Sequence, residues 1–230
     1  SIDALREVID VEWIVVWAGK PTRDINADIV TQGREGSGIS CTRNLGLGFA
    51  TADYLTSLDA DDLIVVEGVQ RGLKAFETNP EIGWIGLSRT DIPGGAIKHT
   101  VSRSQTFAPG ELAEHWKAPF MFHPNSFIAS TALVRRCGGW PGIATNEDLA
   151  LVLRMAEEMG GEVLPAVLTR YRVWDKQEVA NSSYASMKKK AFAYIETVIN
   201  AVRTWHGRSL VHAPSNPGGA FGREAAEVHA

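Results

Sequence analysis

The chain has 230 residues, of which 44% are hydrophobic and 22% charged, and its net charge is −4. This composition fits one globular domain, alone or with a modest appendage, and the acidic balance offers no basic surface for nucleic acid. The two cysteines, Cys41 and Cys137, lack metal-ligand spacing and are too few for a disulfide framework, which favours free thiols. Because neither a signal peptide nor an apolar run of about 18–20 residues is found, we expect a cytoplasmic protein without an integral membrane segment.

Helical and strand patterns alternate through the first ninety residues. The predicted elements are a helix at 1–9, a strand at 12–17, a polar loop at 22–36, a helix at 40–49, a buried strand at 53–58, a helix at 65–77 and a strand at 82–88. This alternation predicts an α/β fold with a mostly parallel sheet flanked by helices. Ligands of such sheets bind beyond the carboxyl ends of the strands.

The regular pattern stops between residues 90 and 125, where we predict a long connection with one short helix near 110–117. Long connections in compact domains often face a substrate. The elements predicted beyond it are a strand at 126–130, a helix at 131–137, a helix at 147–159 and strand-like segments at 162–173.

A long amphipathic helix is predicted at 180–205, because apolar residues recur at steps of three and four. These positions are Tyr184, Met187, Ala191, Tyr194, Val198, Ala201 and Trp205. The apolar face could pack against the domain or pair two copies as a homodimer, with Lys188, Lys189 and Lys190 on the solvated face. The composition after residue 207 predicts a flexible tail at 208–230.

The most informative motif is an apolar run that leads to three carboxylates, Asp59, Asp61 and Asp62, and then turns apolar again. Buried carboxylates are costly unless something positive pairs with them. Acids at the end of a strand therefore suggest a divalent cation with oxygen ligands. The alternative is a loop in which an Asp caps the following helix. The position at a predicted strand end favours the metal site.

A second acidic cluster, Glu147 and Asp148, begins an apolar-periodic helix after the irregular region. The helix dipole favours acids in a first turn, so both residues could simply cap the helix. Two separate carboxylate sites also suit divided chemistry, in which one holds a metal on a phosphorylated donor and the other takes a proton from an attacking hydroxyl.

Basic residues occur at two further positions. Arg43 and Asn44 lie in a predicted helix just before the acidic motif and could reach a diphosphate or ribose, although Arg43 could instead pair with Asp53 or Asp59. Arg172 follows a predicted strand and could close over a phosphate-bearing substrate or belong to a surface ion-pair patch.

Together these motifs resemble the inverting nucleotide-sugar glycosyltransferases of family 2, which have the GT-A fold. The matching strings are Gly38 to Gly46, Gly48 to Leu63, Arg136 to Trp140, Glu147-Asp148 and Tyr171-Arg172. The resemblance covers about residues 1–178, which leaves a helical extension at 179–207 and the tail.

The resemblance implies transfer of a sugar from a nucleoside-diphosphate donor to an acceptor hydroxyl, with Mn²⁺ or Mg²⁺ bridging the diphosphate. In the DxD motif, Asp61 would be the principal metal ligand and Asp59 would contact ribose or metal. Asp148 would be the base that deprotonates the acceptor, with Glu147 as the fallback. The acceptor could be a saccharide, a lipid-linked molecule or a small natural product.

The chain departs from the family pattern at three points. The usual first strand is missing, because only about a dozen residues precede the strand at 12–17. The acids that often follow the second strand are replaced by Trp17-Ala18-Gly19. A His that is common after the Tyr-Arg pair, where it is a further metal ligand, is replaced by Trp174.

Two other function classes fit part of these observations. A nucleotidyl or phosphoryl transferase also holds metal-bound phosphates on a DxD motif, but the chain has neither a P-loop string nor a Gly-rich opening strand. A non-catalytic nucleotide-sugar-binding subunit would explain an incomplete donor site.

Overall fold

The computed structural model describes residues 2–93, 97–98, 102–116, 120–174 and 183–215. Its helices are α1 (Ile2–Arg6), α2 (Ile39–Phe49), α3 (Val66–Thr78), α4 (Glu111–Glu114), α5 (Thr131–Arg136), α6 (Glu147–Glu158) and α7 (Tyr184–Trp205). Its strands are β1 (Ile14–Ala18), β2 (Ile29–Gly33), β3 (Tyr54–Leu55), β4 (Leu63–Ile64), β5 (Trp84–Ile92), β6 (Ile97–Lys98), β7 (Gln105–Phe107), β8 (Phe127–Ser130) and β9 (Gly161–Arg172).

The strands form two sheets. β1 and β2 pair in parallel, and α2 packs on them. The larger sheet has the order β3-β8-β5-β9-β4, with β6 paired to β5 and β7 paired to β9. Its longest pairing is the parallel one between β5 and β9, and shorter antiparallel pairings surround it. The predicted α/β architecture, with parallel strands at its centre and helices around them, is confirmed.

Successive residues of β5 supply two hydrophobic cores, one on each face of the larger sheet. Trp84 is buried in the core that holds α6 and α7, whereas Ile85 and Leu87 belong to the core that holds α3. Alternation along a strand causes this division, because neighbouring side chains point to opposite faces. The close pairing of β5 with β9 also requires glycine at position 161, where a Cβ would lie 2.0 Å from the Trp84 indole.

Three predictions for the irregular regions were wrong. The loop predicted at 22–36 contains β2, which is recognisable only by its parallel partner β1. The buried strand predicted at 53–58 is reduced to the two residues of β3, which are half-buried or exposed on an edge strand. The connection predicted at 90–125 holds the end of β5 as well as β6 and β7, although its short helix is confirmed as α4.

Helix α7 packs on its own domain through a face different from the predicted one. The buried side chains are Lys188, Ala191, Phe192, Ile195, Ile199 and Arg203. Tyr194 and Trp205, which belong to the predicted apolar face, are 41% and 87% exposed. The prediction failed because the buried face includes a lysine and an arginine, which apolar periodicity cannot detect. The predicted start of this helix at residue 180 lies outside the described residues.

Residues 208–213 pack back onto α6 and α7. The Arg208 guanidinium donates to Glu157 Oε2 at 2.7 Å, Asn200 exchanges two hydrogen bonds with the backbone of Val211, and Glu196 accepts from the Ala213 N–H. The flexibility expected from residue 208 onward stays a prediction, and these contacts attach the first part of the segment to the domain. Residues 216–230, the rest of the predicted tail, lie outside the described residues. Within the described ranges, no helix is both long enough and apolar enough to cross a membrane.

Candidate active site

The acidic motif forms a turn between β3 and β4, at the sheet edge where the parallel strands β5 and β9 both end. β4 pairs with the end of β9, which brings Asp62 next to Arg172. The Asp62 N–H donates to the Asp59 carbonyl at 3.0 Å and closes the turn. Because α3 begins at Val66 with Val65 as its N-cap, these acids do not cap that helix. The carboxylates therefore lie at the edge of the sheet where ligands of α/β proteins bind.

The end of β9 holds the acidic turn through three hydrogen bonds. The Arg172 N–H donates to Asp62 Oδ1 at 2.8 Å, and the Arg172 Nε donates to the Asp61 carbonyl at 2.9 Å. The Trp174 indole N–H donates to Asp61 Oδ2 at 3.0 Å. The exposed Arg172 side chain thus lies on the rim of the predicted site.

Asp62 is the buried member of the motif. Desolvation, together with the neighbouring Asp59 and Asp61 carboxylates, raises its pKa to about 7, although the hydrogen bond from Arg172 opposes this shift. Its second oxygen, Oδ2, is buried and accepts no hydrogen bond from the described residues. The described residues therefore leave part of the negative charge of this turn without a positive or hydrogen-bonding partner.

Arg43 connects the two acidic clusters. Its guanidinium donates to Asp59 Oδ1 at 2.8 Å through Nη2 and to Glu147 Oε1 at 2.7 Å through Nη1, and it lies 5.9 Å from the centre of the Trp140 ring. Of the pairings that the sequence left open, the one with Asp59 is present. The Arg43 side chain is only 10% exposed, so its charge is directed to carboxylates of the chain itself.

Glu147 and Asp148 occupy the first turn of α6, after Asn146 in a left-handed conformation. Burial and the neighbouring Asp148 raise the pKa of Glu147 to about 7, and the Arg43 charge opposes this shift. Desolvation also raises the pKa of Asp148, whose Oδ1 accepts from the Leu149 N–H at 2.7 Å. One guanidinium faces three carboxylates here, and this imbalance of charge favours protonation of a carboxylate near neutral pH.

Asn44 does not face the carboxylates. Its amide brackets the backbone of Trp140, donating to the carbonyl at 2.8 Å and accepting from the N–H at 2.9 Å. Gly139 has a φ of +71°, and a Cβ there would lie 2.2 Å from the Asn44 side-chain oxygen. Asn44 therefore holds the loop at 138–142 against α2, and both ends of its amide are engaged without a ligand.

Asn125 and Ser57 contribute to the site but were missed by the sequence reasoning. Asn125 donates to Asp59 Oδ2 at 3.2 Å and accepts from the Ser57 hydroxyl at 2.6 Å. Asp59 is thus held from opposite sides by Asn125 and Arg43. No periodicity could have identified Asn125, because it lies in the irregular segment before β8. Burial does not single it out either, because Asn125 is 4% exposed and the neighbouring polar Ser126 is 1% exposed.

The donor set at the acidic turn fits an oxygen-preferring divalent cation. Oδ1 of the half-buried Asp61 accepts no hydrogen bond from a described residue, whereas the unpaired Oδ2 of Asp62 is buried. Among the described residues, no group of three or more His, Cys, Asp or Glu side chains could enclose a metal ion. This arrangement suits a cation that is shared with the phosphate oxygens of a substrate, as Mg²⁺ often is.

Comparison with known proteins identifies the family. A family model described as Glycosyl transferase family 2 matches residues 10–136. No curated protein sequence matches significantly. The fold is similar to the crystal structure of S. aureus TarS 1-349, with a TM-score of 0.55, 15% identity, and coverage of 76% of this chain and 48% of that one.

The same S. aureus protein in complex with UDP-GlcNAc is similar with a TM-score of 0.53, 14% identity, and coverage of 77% of this chain and 55% of that one. The chain thus spans about half the length of these structures, and at such low identity the similarity concerns the fold, which is of the predicted GT-A type. Because the family match covers more than half of the residues, the chain belongs to glycosyl transferase family 2.

Proposed function

We propose that the protein transfers a sugar from a nucleoside-diphosphate sugar to an acceptor hydroxyl, with metal assistance and inversion at the anomeric carbon. The observation that carries this proposal is the bridge of Arg43 between Asp59 and Glu147. It joins the acidic turn, which suits a metal-bound diphosphate, to the acids that suit a catalytic base. Neither cluster alone would distinguish a transferase from a binding module.

The donor is proposed to lie over the acidic turn, with Arg172 at its rim. Asp61 would be the principal ligand of Mn²⁺ or Mg²⁺, and Asp59 would contact the metal or the ribose. A cation held there would supply positive charge that stabilises the departing diphosphate. Because S. aureus TarS has been crystallised with UDP-GlcNAc and with UDP, uridine donors are the first to test.

Asp148 is proposed as the general base. Its carboxylate takes the proton of the acceptor hydroxyl while the acceptor oxygen bonds to the anomeric carbon. The bond between that carbon and the diphosphate oxygen breaks on the opposite face, and the nucleoside diphosphate leaves with the bonding electrons. Burial raises the pKa of Asp148, and a carboxylate with a raised pKa is a stronger base than an ordinary aspartate. Glu147, already paired with Arg43, is the fallback base.

The location and assembly of the protein are also proposals. The free cysteines Cys41 and Cys137 suit action in the cytoplasm. Because the buried face of α7 packs on its own domain, a homodimer through this helix would have to use its outer surface, where Tyr194 and Trp205 are exposed.

The test is donor turnover with a panel of nucleotide sugars and acceptors. We expect metal-dependent release of a nucleoside diphosphate, and we expect Asp148→Asn to lose transfer while it retains donor binding. Asp61→Ala should lose the metal-dependent part of donor binding. As a control, Asp53→Asn changes an exposed acid just before β3 and should leave turnover intact. Release of pyrophosphate, or full activity of Asp148→Asn, would contradict the proposed reaction or the assigned base.

A further inference from the structure

Trp174 makes a contact that packing does not explain. The residue lies just beyond β9 and is 46% exposed, yet the only polar atom of its side chain, Nε1, donates to Asp61 Oδ2 at 3.0 Å. A large aromatic side chain usually becomes ordered by burial, and burial of this ring is incomplete. The specific interaction of the Trp174 side chain is therefore its hydrogen bond to the Asp61 carboxylate.

The chemistry of the indole suits a supporting role at a metal site. An indole nitrogen donates one hydrogen bond and cannot accept one or bind a cation while it is protonated. Donation to Oδ2 fixes the plane of the Asp61 carboxylate and leaves Oδ1 without a donor among the described residues. Hydrogen bonds of this kind orient the carboxylates that bind metals.

The backbone of Asp61 is fixed at the same time. The Arg172 Nε donates to the Asp61 carbonyl at 2.9 Å, and the Arg172 N–H holds the neighbouring Asp62. Asp61 is thus held by its main chain and by one side-chain oxygen, both from the end of β9. These two contacts restrain the orientation of the Asp61 carboxylate before a cation binds.

We propose that Trp174 is a positioning residue for the metal: its indole N–H orients the Asp61 carboxylate so that Oδ1 binds the divalent cation. In the family that the chain resembles, a histidine near this position is a further metal ligand, and this chain has Trp174 instead. This chain would instead support the metal indirectly, through a residue that does not touch it. The inference rests on the metal assistance in the proposed function.

The test measures Mn²⁺ affinity in the presence of UDP, from the paramagnetic resonance signal of free Mn²⁺. Trp174→Phe keeps an aromatic ring and removes the donor, and we expect about tenfold weaker Mn²⁺ binding, the lower end of the usual effect of such supporting partners. Thermal unfolding without metal should not change. Trp205→Phe, at an exposed tryptophan on α7, is the matched control and should bind Mn²⁺ as the wild type does.

A second variant tests the donor without the ring. Trp174→Gln replaces the indole by an amide whose N–H can donate to Asp61 and should bind Mn²⁺ more tightly than Trp174→Phe. Unchanged Mn²⁺ affinity in Trp174→Phe would overturn the inference, and tighter binding would show that the indole competes with the cation. Asp61→Ala separates failure of the Trp174 inference from failure of the metal assignment. If Asp61→Ala binds Mn²⁺ like the wild type, or if the wild type binds no Mn²⁺, the metal assignment of the proposed function fails as well.

Discussion

Arg43 is the residue on which the charge balance of the site depends. Its guanidinium contacts Asp59 and Glu147, and its charge also acts on Asp148. A buried cation shared among three acids cannot neutralise all of them. The pKa of at least one carboxylate is therefore raised, and for Glu147 it is raised to about 7.

The buried Glu147 should make stability depend on pH. Its pKa is raised from 4.5 to about 7, so between these values the folded chain binds a proton that the unfolded chain has lost. Stability from this group is therefore full below about pH 4.5 and decreases as the pH rises toward 7. We expect the wild type to lose on the order of 2 kcal/mol relative to Glu147→Gln between pH 5 and pH 8.

Urea unfolding of both proteins at several pH values across this range measures the difference. Glu67→Gln is the control, because the Glu67 side chain is 71% exposed in its pair with Arg71 and its replacement should give a difference that is independent of pH. Parallel stability curves for the wild type and Glu147→Gln would contradict the assigned cause.

At the scale of elements, α7 is attached by charges as much as by apolar contacts. Arg203, which is fully buried, donates to Glu157 Oε1 at 2.7 Å, to Glu114 Oε1 at 2.9 Å and to the Gly110 carbonyl at 2.7 Å. Glu157 is also fully buried and lies in α6. The helix that carries the candidate base at its start is therefore fixed to α7 at its end.

Loss of Arg203 should be costly for the whole domain. Arg203→Met leaves the buried Glu157 with Arg208 as its remaining cationic partner, and we expect a loss of about 3–5 kcal/mol in the free energy of unfolding. Adding Glu157→Gln should recover part of this loss, because it removes the buried charge. Trp205→Ala, two residues away and exposed, should change stability by less than about 0.5 kcal/mol. Chemical unfolding measures all four proteins, and equal losses at positions 203 and 205 would contradict this account.

At the scale of the whole molecule, a ligand that binds only the folded chain stabilises it. A donor nucleotide at about 100 times its dissociation constant adds about 2.7 kcal/mol, which for a chain of this size corresponds to an increase of roughly 5–10 °C in Tm. We expect UDP with Mn²⁺ to produce such a shift, and a chelator to reduce it. Asp61→Ala should lose the part that depends on Mn²⁺, and a shift that is insensitive to the chelator would argue against a shared metal site.

Elements with local sequence signals were predicted, and features that depend on residues distant in the sequence were missed. Helices α2, α3, α5 and α6 and strands β8 and β9 were predicted because their signals are local: periodicity, caps and apolar runs. β2 was missed because its strand character depends on pairing with β1, and the buried face of α7 was missed because Lys188 and Arg203 lie within it. Local patterns carry no information about which partner a polar side chain will find.

The sequence by itself determined the α/β class and the family, and it indicated the candidate acids, because the DxD motif and the Glu147-Asp148 pair can be read as short strings. Only the tertiary structure decided how these acids are arranged. Arg43 meets Glu147 across 104 residues of chain, Asn125 holds Asp59, and Trp174 reaches Asp61. The physical reason is that a carboxylate in a desolvated site takes its pKa, orientation and affinity for a cation from its neighbours in space.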